Sequence, residues 1–318
     1  MAMVSTNVAL VNYFCHNSAL MEEKQTFYSF LIVLQSLLFA LVDIFTKIAL
    51  ETVPVFIFVS IRMGITAILL FLVFRKTIIR DMKKVRFGLY FWPAFCLAVS
   101  IIMSNIAVHL TAATSFAFLR SLTAIIVPLI MTLFFGRKYT LTDVAIQTSL
   151  VAGLYLLCAR GGLSTFGIGE ILALSCATLA AVSLVFSSRA LKAVNPYTMT
   201  FMQMSCGCIL ALISAFATGS FDTNWTQSFF TSKVLLILIY NVIIGSFIAY
   251  SIQNKVLVKV SPKTVGILQC AYPVFTALVA NVLLGETMNA YGIIGSVIII
   301  ACIIAQSLSH ETKIKGRN

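Results

Sequence analysis

Acidic residues are scarce in this chain: ten aspartates and glutamates among 318 residues, against 22 lysines and arginines. Histidines number three and tryptophans two. Charged residues make up 10% of the chain, where soluble proteins use about a quarter, so a water-facing surface cannot be assembled from it. Catalytic patterns are missing too. There is no Gly-x-Ser-x-Gly, no His-Glu-x-x-His and no Asp-rich pair of the kind that prenyl transfer uses. Gly161-Gly162 is a loop signal rather than a phosphate cradle, because no Lys-Ser/Thr follows it. No stretch is long or polar enough to form a nucleotide-binding domain, so any pumping must draw on a gradient. No basic cluster is interleaved with exposed aromatics in a soluble module, which argues against nucleic acid as a partner. The eight cysteines lack metal-ligand spacing and read as reduced, unpaired core thiols. Cys206 and Cys208, two apart, point to different helix faces. No cofactor is implied.

What the chain has in excess is apolar length. Hydrophobic residues are 60% of it and the mean hydropathy is +1.02. A helix needs about 20 apolar residues to cross the hydrocarbon core. Runs of that kind fall at 27–48, 54–74, 88–108, 114–135, 141–159, 168–187, 197–217, 233–253, 263–284 and 290–308. The chain is therefore expected to be an all-α, polytopic membrane protein of ten transmembrane helices. Residues 1–26 form an N-terminal tail and 310–318 a basic C-terminal tail. The first tail has no basic region followed by an apolar run, so it is not read as a signal peptide. Met21-Glu22-Glu23-Lys24 reads as an alternative start.

The basic residues sit on alternate connections. Seventeen of them lie on one side, including Arg75, Lys76, Arg80, Lys83, Lys84 and Arg86 between the second and third spans. The other side has Arg160 and Lys233. By the positive-inside rule both termini are cytoplasmic, in a plasma membrane, and the net charge of +12 marks orientation and contact with membrane lipids.

An internal repeat runs through the spans. A shift of 142 residues lays Lys47 on Arg189 and Pro54 on Pro196. A shift of 149 lays Leu119 on Leu268, Arg120 on Gln269 and Gly136 on Gly285. Each half, 27–160 and 161–309, has five spans. Five is odd, so the second half enters the membrane with opposite polarity, the inverted-repeat architecture of many secondary transporters.

On these residues the chain resembles the ten-helix drug/metabolite transporters with two EamA-type repeats. The resemblance rests on Lys47, Pro54, Arg62 in FVSIRMG, and Asn105 in the first half. In the second it rests on GIGEILAL, IQNKVLVKVSP, YPVFTALVANVLLGE and YGIIGSVII. It implies a cavity between the halves, built mainly by spans one, three, four, six, eight and nine. Two positions depart from the family pattern. Gly136 is followed by Arg137 where relatives often have Glu, and Tyr272 precedes Pro-Val-Phe where relatives often have Glu. The second departure removes a membrane carboxylate and weakens proton coupling through it.

Charges inside a span are costly and face a cavity or a partner. At about 1.5 Å per residue, Asp43 lies roughly 8 Å, Arg62 roughly 12 Å, Asn105 roughly 5 Å and Arg120 roughly 9 Å inside the same end of the bundle. Asp43 and Arg120 read either as an internal ion pair or as ligand-facing groups. Arg62 reads first as a pin between the first two helices. Lys47 is close enough to the interface to snorkel, and is also four residues from Asp43 on one helix face. His109 reads as interfacial rather than as a proton carrier. In the second half, Tyr250, Asn254, Gln269 and Tyr272 are the polar candidates nearer the opposite end. The substrate-binding set is then Asp43, Asn105, Arg120, Tyr250, Gln269 and Tyr272, with Lys47, Arg62, His109 and Asn254 secondary. The function that fits is a secondary transporter of a small organic solute (amino acid, metabolite or drug-like compound) working by alternating access. A membrane-embedded enzyme and a non-transporting scaffold or sensor are the rival classes. A channel is disfavoured because no ring of like charges appears. Three basic side chains and one carboxylate within spans favour a carboxylate- or phosphate-bearing solute, or a zwitterion, over a simple cation.

Overall fold

The computed structural model describes residues 2–136, 140–158, 167–222, 225–284 and 290–315. Hydrocarbon offers backbone groups no water partner, so each apolar run must satisfy its own amides and carbonyls as helix. The membrane helices are α1 (Ala2–Ala49), α2 (Val55–Lys84), α3 (Phe87–Leu110), α4 (segments Ala113–Ser121 and Thr123–Phe135) and α5 (Leu141–Cys158) in the first half. They are α6 (Ile168–Ala190), α7 (Pro196–Ala217), α8 (Ser232–Tyr240, Asn241–Ile248, Ala249–Leu257), α9 (Pro262–Leu268 and Ala271–Leu284) and α10 (Ala290–Lys315) in the second. Eight are long and apolar enough to cross a membrane, and the apolar parts of α5 and α10 are the shorter pair, Leu141–Leu156 and Ala290–Ala305. The described residues contain no strand. Large apolar side chains point outward, Leu133 at 79% and Val282 at 80% exposure, as lipid-facing helices require.

Three boundaries differ from the sequence expectation. Helix α1 has helical backbone from Ala2. Helix α2 continues past its apolar run to Lys84, after a non-helical residue at Phe74 (φ −115°, ψ 19°). The connection from α7 to α8 contains a short helix, Trp225–Phe229.

The helix pairs obey the repeat. Helix α2 packs on α7 and α5 on α10, while α3–α6 is matched by α8–α1 and α4–α6 by α9–α1. Exchanging the two halves maps this set of pairs onto itself. The crossings are close. A Cβ on Gly245 of α8 would stand 2.6 Å from Val42 Cγ2 and 3.3 Å from Val42 Cγ1 of α1. A Cβ on Gly207 of α7 would stand 2.2 Å from Met63 Sδ of α2. Valine in a helix has one strongly preferred rotamer and cannot yield, whereas a methionine end can swing aside. Gly245→Ala should therefore cost about 1–3 kcal/mol by overpacking. Gly207→Ala should cost less despite the shorter distance. Melting of the purified variants in detergent checks the order, and the reverse order would mean that the α1–α8 contact is the softer one.

Helices α4 and α9 both break, within a residue or two of positions related by the shift of 149. In α9 the cause is Pro273, which has no N–H to give the Gln269 carbonyl. That carbonyl accepts from Tyr272 N at 3.0 Å instead, and Cys270 N reaches back to the Ile267 carbonyl at 3.0 Å. In α4 hydroxyls compete with the backbone. Thr123 Oγ1 donates to the Arg120 carbonyl at 2.7 Å and Ser121 Oγ to the Ala117 carbonyl at 2.7 Å. The third interruption is a π-helical stretch in α8, Asn241–Ile248.

Candidate functional site

The breaks stand beside Arg120 of α4 and Gln269 of α9, two helices that pack against each other. Arg120 Nη1 donates to Asp43 Oδ2 of α1 at 3.0 Å, and Tyr272 Oη donates to the same oxygen at 2.6 Å. The guanidinium carbon lies 5.3 Å from the Phe39 ring centre, 5.9 Å from that of Phe116 and 5.1 Å from that of Tyr272. An arginine in such an aromatic cage is held by cation–π attraction as well as by its ion pair. Tyr272 supplies a hydroxyl donor to the carboxylate, where an acid would set a second negative charge beside it.

A cavity of about 60 Å³ opens against this cluster. Its wall comes from α1, α3, α4, α6, α8 and α9, the six helices expected. Arg120, Tyr250, Gln269 and Tyr272 line it. Ser36, Ser100, Ser104, Cys176 and Gln253 line it as well. Three glutamines meet at its edge. Gln35 Nε2 donates to Gln253 Oε1 at 2.8 Å, and Gln269 Nε2 donates to Gln253 Oε1 at 3.1 Å and to Gln35 Oε1 at 3.3 Å. Gln35 and Gln253 are visible in the sequence as amides inside apolar runs. The α3 contribution follows a helical stripe, Leu97, Ser100, Ile101 and Ser104, which marks a face only once the helix rotation is known.

Several candidates stand apart from the cavity. Asn105 Nδ2 turns back to the Ile101 carbonyl of its own helix at 2.7 Å. Asn254 Nδ2 faces α7, donating to Thr200 Oγ1 and Gln203 Oε1, both at 2.9 Å. His109 is exposed at the end of α3. Lys47 does not pair with Asp43; its Nζ donates to the Thr111 carbonyl at 3.0 Å, where α3 ends. Thr111 Oγ1 then donates to Glu170 Oε1 of α6 at 2.7 Å, which closes this end of the bundle. Arg62 of α2 reaches α8. Its Nε donates to Ser246 Oγ at 3.0 Å and its Nη1 to Asn241 Oδ1 at 3.3 Å, and Thr46 of α1 donates to the same Asn241 oxygen at 3.1 Å. Arg137 lies outside the described residues.

At the opposite end, which carries the basic connections, Asp81 of α2 is buried. Its Oδ2 accepts from Asn195 N at 2.8 Å and Thr198 Oγ1 at 2.9 Å, at the start of α7. Lys263 of α9 pairs with Asp143 of α5.

The sequence pattern of the EamA-like transporter family matches residues 26–159 and again 167–307. The chain belongs to this family. It is a multi-pass membrane transporter with two five-helix repeats. It is also 26% identical over 267 residues to an Archaeoglobus fulgidus protein described as an uncharacterized transporter, covering 82% of this chain and 80% of that one. A solved crystal structure has the same fold, with a TM-score of 0.70 at 16% identity over 92% of this chain and 99% of that chain.

Proposed function

We propose that this transporter moves a small organic solute across the plasma membrane by alternating access, with the six-helix cavity as its binding site. The observation that carries the reading is the Asp43–Arg120–Tyr272 cluster facing a cavity between the two repeats. Ionisable groups inside a bundle mark solute pathways. A cavity of about 60 Å³ is far below the roughly 300 Å³ at which drug-sized ligands are enclosed, so loading an organic solute requires the helices to part. Two sets of contacts would part in turn. One is Lys47–Thr111–Glu170. The other is Asp81 with α7, together with Lys263–Asp143. The basic split orients the second set toward the cytoplasm, with both termini on that side.

Cysteine accessibility tests both parts without knowledge of the solute. In a Cys-free background, an impermeant maleimide applied outside cells should modify Thr218→Cys and spare Lys83→Cys; the reverse would overturn the orientation. In sealed vesicles of either polarity, Gln253→Cys in the cavity should be reached from both sides. It should be reached from one side only once a Thr111→Cys/Glu170→Cys pair is cross-linked. Labelling from neither side would favour a scaffold, and turnover of a lipid by the reconstituted chain would favour an enzyme.

A further inference from the structure

The charges inside the bundle do not balance. Asp43 is matched by Arg120, and Lys47 is spent on a helix end. Arg62 is 4% exposed, and its acceptors are neutral, Ser246 and Asn241. Among the described residues no carboxylate lies within ion-pair distance of it. Ser246, which Arg62 holds, stands one turn before Tyr250 of the cavity wall on α8. Two guanidinium charges and one carboxylate charge therefore lie at or just behind the wall, and a buried excess of one positive charge is expensive unless something answers it.

We infer that the transported solute carries one net negative charge, and that Arg62 sets this selectivity through space rather than by contact. The inference rests on the transporter reading and sharpens it from a small solute to a monoanion. The wall has the matching donors. Four of its hydroxyls give their hydrogens to backbone carbonyls: Ser36 to Ile32, Ser100 to Cys176, Ser121 to Ala117 and Thr123 to Arg120. Tyr272 gives its own to Asp43. Beside the Ser104 and Tyr250 hydroxyls, the wall offers the Nε and Nη2 side of Arg120 and the Nε2 of Gln253, which have no hydrogen-bond partner among the described residues. These are donors suited to the oxygens of a carboxylate, in the fork geometry that arginine offers. A cation finds no acid among the described residues that line the cavity, and Oδ2 of the neighbouring Asp43 already accepts from Arg120 and Tyr272. A zwitterion leaves the excess charge unanswered. A monoanion brings wall and ligand to neutrality.

The test is a matched series binding to the full chain in neutral detergent, read by calorimetry and by melting temperature. The probes are 3-phenylpropionate, its amide, phenylalanine and 2-phenylethylamine, with acetate and acetamide as a smaller pair. Each carboxylate should bind at least tenfold more tightly than its amide, and 3-phenylpropionate more tightly than phenylalanine. Arg62→Gln should cut the carboxylate-to-amide ratio roughly tenfold, the effect expected of one unit charge acting across several ångströms of protein. Arg62→Lys should keep the ratio. Asn241→Asp, which sets a carboxylate beside Arg62 without removing it, should cut the ratio as Arg62→Gln does and guards against misfolding of that variant. Preference for the amine or the zwitterion, binding by none of the carboxylates, or a ratio unmoved by both neutralising changes would overturn the inference. Labelling of Gln253→Cys from both sides would still leave the transporter reading standing.

Discussion

Asp43→Asn and Arg120→Gln, each made alone, should destabilise the protein by about 3 kcal/mol, the lower end of the loss expected when one partner of a buried ion pair is removed. The lower end applies because both side chains keep some exposure, 15% for Asp43 and 21% for Arg120. Each single change strands a charge. Without Arg120, Asp43 retains only the Tyr272 hydroxyl as a donor among the described residues. Without the Asp43 charge, Arg120 keeps its aromatic cage but adds to the positive excess already set by Arg62. The double change removes both charges, so it should cost less than the sum of the single changes, and solute transport should show the same order. Tyr272→Phe should cost about 1–3 kcal/mol, because it removes a short donor to a charged acceptor. Denaturation of the parent, the two single variants and the double variant in detergent gives the cycle. Additive losses would show that the contact at 3.0 Å contributes no coupling.

The second large effect is expected at the other end of the bundle. Asp81→Ala should destabilise by about 2–4 kcal/mol, because it leaves the Asn195 amide and the Thr198 hydroxyl without their acceptor in a buried place. Asp81 is 6% exposed and stands at the N-terminus of α7, where a negative charge also answers the helix dipole. Arg80 touches the same carboxylate at 3.2 Å, yet its side chain is 57% exposed. Arg80→Ala should therefore change stability by no more than about 1 kcal/mol. Asp81→Asn, which still accepts one hydrogen bond, should fall between the two. Equal losses for Arg80→Ala and Asp81→Ala would mean that the surface pair, rather than the bonds to α7, holds this end.

The sequence makes some of this legible and hides the rest for physical reasons. Ten apolar runs, the repeat and the Asp43–Arg120 depth match all come from costs that act along one dimension: length of hydrocarbon, and charge within it. Neutral amides incur a smaller cost and leave a weaker trace. Gln35 and Gln253 therefore do not stand out among the candidates, and Asn105 and Asn254 look like solute ligands although they bond to a backbone carbonyl and to α7. The choice of partner depends on how each helix is rotated, which composition does not encode. Pro273 is an available signal for the break in α9. The break in α4 depends on two hydroxyls choosing carbonyls of their own helix. Asp81 is masked by its surroundings, a run of basic residues that reads as an orientation signal.

The π-helical stretch of α8 carries a consequence for changes in chain length. A π turn accommodates one residue more than an α turn. Deleting a single residue between Asn241 and Ile248 would let α8 close into regular helix without breaking its span. Because the wide turn already absorbs the extra residue, the part after the deletion would keep nearly its present facing, with Tyr250 and Gln253 still toward the cavity. A deletion in the regular helix that follows, Ala249–Leu257, meets no such slack and turns everything beyond it by about 100°. The eight residues of the stretch are therefore where the second half can lose a residue and keep the aim of its side chains.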